Sequence, residues 1–102
     1  MFKVMILLKR KDTDSHAKFS DWWLVKHRPL AEKLPNVRRV IFNLADDTSA
    51  DMYDGVSELW FDNQAEFEAA YQSDIGKNVA ADSLANVGAR TRMFVTEHVI
   101  KS

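Results

Sequence analysis

The chain has 102 residues, 46% hydrophobic and 28% charged, so we expect one globular domain spanning residues 1–102. A net charge of −1 gives no bulk attraction to nucleic acid or to an anionic membrane, and the lack of cysteine excludes disulfides and thiolate chemistry. The longest apolar run, residues 4–8, is too short for a membrane helix, and the N-terminus opens directly into a strand pattern. We therefore expect a cytoplasmic protein without a signal peptide.

The first half of the chain predicts a strand, a helix and a second strand. Residues 2–8 are largely apolar, which is typical of a buried strand. Ser15 can cap a helix whose inward stripe consists of Phe19, Trp22 and Trp23. Pro29 lacks the N–H that a helix interior needs, so this helix should end near His27 and a short helix should follow at 29–34. Residues 37–44 predict the second strand.

The second half predicts a long loop, a strand, a helical region and a last strand. Residues 45–55 are acidic and aperiodic and should form a mobile loop, and residues 56–61 should form the third strand. Asn63 should cap the next helix, and Ser73 should cap its continuation, which turns Ile75, Val79 and Leu84 inward. Gly88 fits a helix stop, and the last strand should run from about 90 to 100.

The order β-α-β-β-α-β is the ferredoxin-like pattern of the α+β class, with helices on one face of an antiparallel sheet. The strands carry apolar residues in both registers, as Leu59 and Phe61 do in one register of the third strand and Val56 and Trp60 do in the other. A monomer would leave one apolar face in water, so the sequence predicts a homodimer with two sheets packed face to face.

Several segments resemble the EthD family over nearly the whole chain. They are Trp22-Trp23 followed by His27-Arg28-Pro29, then residues 34–39, 58–62 and 94–97. The resemblance implies a dimeric α+β barrel. Proteins on that scaffold include muconolactone-type isomerases, polyketide cyclases, cofactor-free monooxygenases and haem-degrading enzymes, so the fold alone does not select an activity.

His27 is the main catalytic candidate, and the resemblance to muconolactone-type isomerases places a histidine at its position. A neutral imidazole near the end of a helix could act as a general base near neutral pH. The alternative is a structural histidine that bonds backbone carbonyl groups and fixes the turn at Pro29.

Five residues are candidates for substrate binding, each with a structural alternative. Trp23 and Trp60 could line an aromatic pocket or belong to the core. Arg28 and Arg92 could pair with a carboxylate or enolate oxygen, or be exposed cations. Glu58 could be a buried acid with a raised pKa, or the partner of an arginine across the dimer.

No metal or cofactor is expected. The three histidines are far apart, no glycine-rich loop is present, and the stretch 63–86 lacks the histidine that haem-degrading relatives use. Three functions stay open. The first is a cofactor-independent isomerase, cyclase or monooxygenase acting on a small cyclic or aromatic metabolite of a degradation pathway. The second is a non-catalytic small-molecule-binding or accessory protein for an oxygenase pathway. The third is a purely structural dimer.

Overall fold

The computed structural model describes residues 1–102, apart from the side chain of Ser49. Strand β1 is followed by helix α1, a π-helical segment and helix α2, which run on without a break. Strand β2, a 3₁₀ turn, strand β3, helices α3 and α4 and strand β4 complete the chain. Their bounds are β1 Phe2–Arg10, α1 His16–Asp21, π segment Trp22–His27, α2 Arg28–Ala31, β2 Arg39–Leu44, 3₁₀ turn Asp47–Ser49, β3 Gly55–Phe61, α3 Gln64–Gln72, α4 Asp74–Asn86 and β4 Val87–Val95.

The four strands form one antiparallel sheet in the order β2-β3-β1-β4, which confirms the ferredoxin-like α+β prediction. One face packs against the helices. Alternate residues of β1 and β3 bury their side chains there, and the helices supply large aromatic residues opposite them. The members of this core include Val4, Ile6, Leu8, Leu59 and Phe61 from the sheet and Phe19, Trp22, Trp23, Phe67 and Val79 from the helices.

The prediction that the first helix ends near His27 is wrong. The backbone widens into a π turn, and the Arg28 N–H donates to the carbonyl of Trp23, five residues earlier. Pro29 then occupies the first turn of α2, where a missing N–H costs little. The π turn thus carries the helix past the proline and keeps His27 on the same buried face as Trp23.

Both helix caps predicted in the second half are confirmed. The Asn63 side chain accepts from the N–H of Glu66 at 2.9 Å, and the Ser73 hydroxyl accepts from the N–H of Gly76 at 3.0 Å. The inward stripe of α4 was predicted wrongly, since Ile75 and Leu84 are exposed. The cap at Ser73 restarts the helix in a new phase, which turns the stripe Gly76, Val79 and Ser83 inward.

Gly88 does not stop a helix, because α4 ends at Asn86 and Gly88 lies in β4. A Cβ at Gly88 would stand 2.7 Å from the Arg10 carbonyl oxygen, where the pairing of β1 with β4 shifts register. Strand β4 therefore starts and ends earlier than predicted, at Val87 and Val95.

The loop between β2 and β3, expected to be mobile, is fastened to the rest of the fold. The buried Asp54 carboxylate accepts from the backbone N–H of Arg10 at 2.8 Å and contacts His16 Nδ1 at 2.7 Å. The other ring nitrogen of His16 lies 2.8 Å from the Ala45 carbonyl oxygen. Burial acts to raise the pKa of Asp54, but the bonds from Arg10 and His16 outweigh it and lower that pKa.

The second face of the sheet carries no helix among the described residues. We call it the open face. Apart from the buried Trp60, its apolar side chains are half-buried or exposed and come from all four strands, namely Met5, Leu7, Ile41, Val56, Met93 and Val95. No helix in the described part of the chain is long and apolar enough to cross a membrane.

Candidate active site

His27 is the last residue of the π segment, and its side chain contacts α4. Its side chain is buried, with 4% of the residue exposed. Its Nδ1 lies 2.8 Å from Oδ2 of Asp82, and its Nε2 lies 3.4 Å from the hydroxyl oxygen of Ser83. The two residues of α4 therefore hold both ring nitrogens of His27 in defined positions.

Asp82 is itself held by neighbouring donors. Trp22 Nε1–H donates to Oδ2 at 3.1 Å, and the Asn86 amide, one turn further along α4, donates to Oδ1 at 3.2 Å. Both carboxylate oxygens thus have partners on two helices. A carboxylate fixed in this way orients the imidazole ring and selects its tautomer.

Burial lowers the pKa of His27 below its ordinary value, and this effect outweighs the bond and the charge of Asp82, which act to raise it. The positive charge of Arg90 lowers it further. The ring is therefore neutral at neutral pH. Because Nδ1–H donates to Asp82, Nε2 carries the basic lone pair that a general base requires, and the Ser83 hydroxyl, 3.4 Å away, is placed to donate to it.

A small cavity of about 10 Å³ adjoins His27 between the sheet and the helices, with room for about one water molecule. Most of its lining is buried, whereas Phe42, Tyr71 and Arg90 are half-buried and form the wall towards solvent. The full lining is Ile6, Leu8, Trp23, His27, Ala31, Phe42, Ser57, Leu59, Tyr71, Val79, Ser83 and Arg90.

Two residues of this lining carry buried N–H groups without a partner. They are Trp23 Nε1 and Arg90 Nε, and no other buried side-chain nitrogen or oxygen is unpartnered within the described residues. The Trp23 ring is fixed by stacking on Phe42, with centroids 4.4 Å apart. Burial raises the pKa of the Tyr71 hydroxyl against the charges of Arg90 and Arg92 and a side-chain hydrogen bond with Arg90, so the hydroxyl stays protonated at neutral pH.

The structure brings together only two of the six residues that the sequence singled out. His27 and Trp23 line the same cavity. Arg28 is exposed on the outer side of the helix, 3.5 Å from Glu32. Arg92 is exposed and lies over the rings of Phe67 and Phe94, outside the cavity.

Trp60 and Glu58 lie on the open face, on the other side of the sheet from His27. Trp60 borders a wide depression of about 430 Å³, together with Met1, Arg38, Arg39 and Glu97. The expectation of a raised pKa for Glu58 is wrong. Hydrogen bonds from Lys3, at 2.6 Å, and from Asn43 lower that pKa instead.

Sequence reasoning missed Asp82, Ser83 and Arg90 as members of the site, and it considered Tyr71 as a possible hydroxyl donor but favoured a role in helix packing. The available signal was Ser83, a polar residue four positions after Val79 in the buried stripe of α4. Asp82 gave no such signal, because its partner His27 is 55 residues away along the chain. No group of three His, Asp or Glu side chains in the described part of the chain is placed to hold a metal ion.

The comparisons with known proteins agree with this fold. A family model described as the EthD domain matches residues 11–87, so the chain belongs to the EthD family. An uncharacterised 11.0 kDa protein from the thcB-thcC intergenic region of Rhodococcus erythropolis is 32% identical over 88 residues, which cover 82% of this chain and 84% of that protein.

Three solved structures show the same architecture. An EthD family protein from Bacillus halodurans has a TM-score of 0.79 at 22% identity and covers 96% of this chain and 100% of its own. A dimeric ferredoxin-like protein of unknown function from Thermobifida fusca has a TM-score of 0.75 at 14% identity, covering 94% and 90%. SnoaB from Streptomyces nogalater, a cofactor-independent oxygenase, has a TM-score of 0.71 at 11% identity, covering 98% and 97%.

Proposed function

We propose that this chain is a cofactor-independent enzyme that removes an acidic proton from a small cyclic or aromatic carbonyl compound. The observation that carries the proposal is the contact at 2.8 Å between buried His27 and half-buried Asp82, beside a partly polar cavity. His27 is the general base, and Asp82 is a positioning residue that acts through it. SnoaB, a cofactor-independent oxygenase of the same architecture, is an example of catalysis on this fold without a cofactor, which agrees with the proposal.

The proposed step moves one proton. The substrate C–H gives its proton to Nε2 of His27. The electron pair of that bond forms a carbon–carbon double bond, and the π pair of the carbonyl group moves onto its oxygen, which gives an enolate. The imidazolium that forms keeps its Nδ1–H bond to Asp82, whose negative charge stabilises it. Return of the proton to a different carbon completes an isomerisation without any other reagent.

The substrate has to displace part of the cavity wall, because the cavity has room for only about one water molecule. Tyr71 is a half-buried lining residue, so its side chain can turn outward with little loss of packing, while Phe42 and Arg90 keep their positions in the wall. The remaining lining is largely apolar, so the cavity, once opened, would suit a flat apolar ring.

A second candidate is a non-catalytic protein that binds a small apolar metabolite for a neighbouring oxygenase. The observation in its favour is the apolar majority of the cavity lining, which needs no titrating base to hold a ring.

A thermal-shift screen of wild type and His27→Gln against lactones, quinones, phenols and polyketide-like aromatics separates the two candidates. A ligand at one hundred times its Kd stabilises the folded state by about 2.7 kcal/mol. The enzyme proposal predicts a class of ligand that wild type converts and the variant only binds. A ligand that both proteins bind and neither converts would favour the binding protein.

We also propose that the partner of the chain is a second copy of itself, joined through the open face. The support is the row of apolar side chains on that face, and the dimeric state of the Thermobifida fusca protein agrees with it. In such a dimer, the ion pair of Lys3 and Glu58 lies on the inner surface of the barrel, where each charge has its partner.

A further inference from the structure

We propose that Trp23 and Arg90 form an oxyanion-binding subsite in the cavity that His27 also lines, so that the substrate is a compound whose oxygen becomes negatively charged, as an enolate or phenolate does. This inference deepens the proposed function and rests on it for the reaction. The binding of an oxyanion can nevertheless be tested without any turnover.

Two residues that line the cavity carry buried hydrogen-bond donors without an acceptor. A buried N–H without an acceptor costs about 1–3 kcal/mol, so native proteins rarely keep one, and this small cavity is lined by two residues that each carry one. Neither Trp23 Nε1 nor Arg90 Nε can act as an acceptor. The group they fit is an oxygen of the ligand.

The charges of Arg90 and Asp82 also favour an anion at this subsite. Arg90 forms no ion pair among the described residues. Its positive charge disfavours protonation of His27, whose ring is neutral. The negative charge of Asp82 lies on the Nδ1 side of the imidazole ring. Proton transfer to His27 therefore places the new cation beside Asp82 and leaves the new anion with Arg90.

The two donors also select between the charged and the neutral form of a ligand. A donor pair of this kind favours the charged form of the ligand over the neutral form, because an N–H bond to an oxyanion is roughly twice as strong as one to a neutral oxygen. A fixed Trp23 ring, stacked on Phe42, needs no reorganisation when the charge appears. The subsite would therefore lower the barrier of proton removal.

The test uses 4-nitrophenol, whose phenolate absorbs visible light, with 4-nitroanisole as the matched probe that cannot ionise. Below the pKa of free 4-nitrophenol, binding to wild type should raise the ratio of phenolate to phenol by about tenfold or more. Arg90→Gln should abolish that rise, and Arg92→Gln should leave it unchanged. 4-Nitroanisole should bind wild type and Arg90→Gln with the same affinity.

Indole N–H resonances provide a second readout in the same titration. The chain has three tryptophans, and Trp60, whose indole N–H donates to Glu97 on the other side of the sheet from His27, is the internal control. The Trp23 resonance, assigned with Trp23→Phe, should move downfield as the phenolate binds. A Trp23 resonance that stays in place, or an unchanged ionised fraction in Arg90→Gln, would show that the donors serve an internal water only and would overturn the inference.

His27→Gln separates this inference from the proposed function. The subsite needs no base, so that variant should still bind 4-nitrophenolate and still shift the Trp23 resonance. Loss of turnover with retained phenolate binding supports both proposals. Turnover that survives in His27→Gln while Arg90→Gln loses phenolate binding would reject the base and retain the subsite.

Discussion

The lowered pKa of His27 links the chemistry of the site to the stability of the fold. The unfolded chain binds a proton near pH 6.5, whereas the folded chain does so only at lower pH. Between these two pH values the unfolded state holds more protons, so the free energy of unfolding rises with pH through this window. The stabilisation is complete above pH 6.5 and is lost as the pH falls towards the folded pKa.

We expect His27→Gln to lack this pH dependence, because glutamine does not titrate. Urea unfolding of wild type and variant at intervals from pH 5 to pH 8 measures the difference in the free energy of unfolding. That difference should favour wild type more at pH 8 than at pH 5. A difference that is constant across the range would mean that His27 titrates as it does in the unfolded chain.

Asp82→Asn should act on rate and on pH profile together. The amide still accepts from Nδ1, but it no longer supplies the negative charge that raises the pKa of His27 and stabilises the imidazolium. The rate of proton transfer should fall by about 10²-fold or more, and the midpoint of its pH profile should move to lower pH. The matched control is Asp74→Asn, exposed on the same helix. A lower rate with an unmoved midpoint would assign Asp82 a purely structural role.

At the scale of elements, the sequence predicts the order of strands and helices because apolar runs alternate with capped amphipathic segments. The caps at Asn63 and Ser73 were readable for that reason. The π turn was not, since the rule for proline predicts a helix end and no local pattern marks the wider turn that avoids it. The sequence also does not predict which residues of α4 face inward, because that depends on where the Ser73 cap restarts the helix.

Gly76 shows how tertiary packing overrides helix propensity. In a helix interior, alanine is favoured over glycine by about 1 kcal/mol. At this position a Cβ would overlap the Ala70 carbonyl oxygen and stand 2.5 Å from Tyr71 Cα, both of them backbone atoms of α3. The helix propensity that alanine would add at this position cannot offset the free energy needed to displace the backbone of α3.

We therefore expect Gly76→Ala to destabilise the fold by about 1–3 kcal/mol in urea unfolding, which is the usual range for overpacking. Asn78→Ala, at an exposed position of α4, should be neutral or slightly stabilising. A stabilised Gly76→Ala variant would indicate that α3 and α4 are not in close contact at this point.

At the scale of the whole molecule, the sequence located the apolar open face but not the site. Alternation along a strand assigns residues to faces without knowledge of the other strands, whereas the His27–Asp82 contact joins two helices. Trp60 and Glu58 are grouped with His27 because alternation separates the two registers of β3 but does not say which register faces the helices.

The proposed dimer gives a prediction at the same scale. Leu7→Glu places a charge in the middle of the open face, beside Val56 and Thr91, and should convert dimers to folded monomers because a buried unpaired carboxylate is costly. Sedimentation equilibrium measures the mass, and Leu84→Glu, exposed on α4, is the control that should remain dimeric. A Leu7→Glu variant that stays dimeric would place the interface elsewhere.

The central claim, that His27 removes a proton from a small carbonyl compound, is tested most directly by hydrogen–deuterium exchange of the compound itself. Cyclic 1,3-diketones and unsaturated lactones in D₂O are followed by proton NMR with wild type, His27→Gln or no protein. The account predicts that at least one compound exchanges its acidic C–H faster with wild type, by about 10²-fold or more over His27→Gln. Equal exchange with wild type and His27→Gln would contradict the claim.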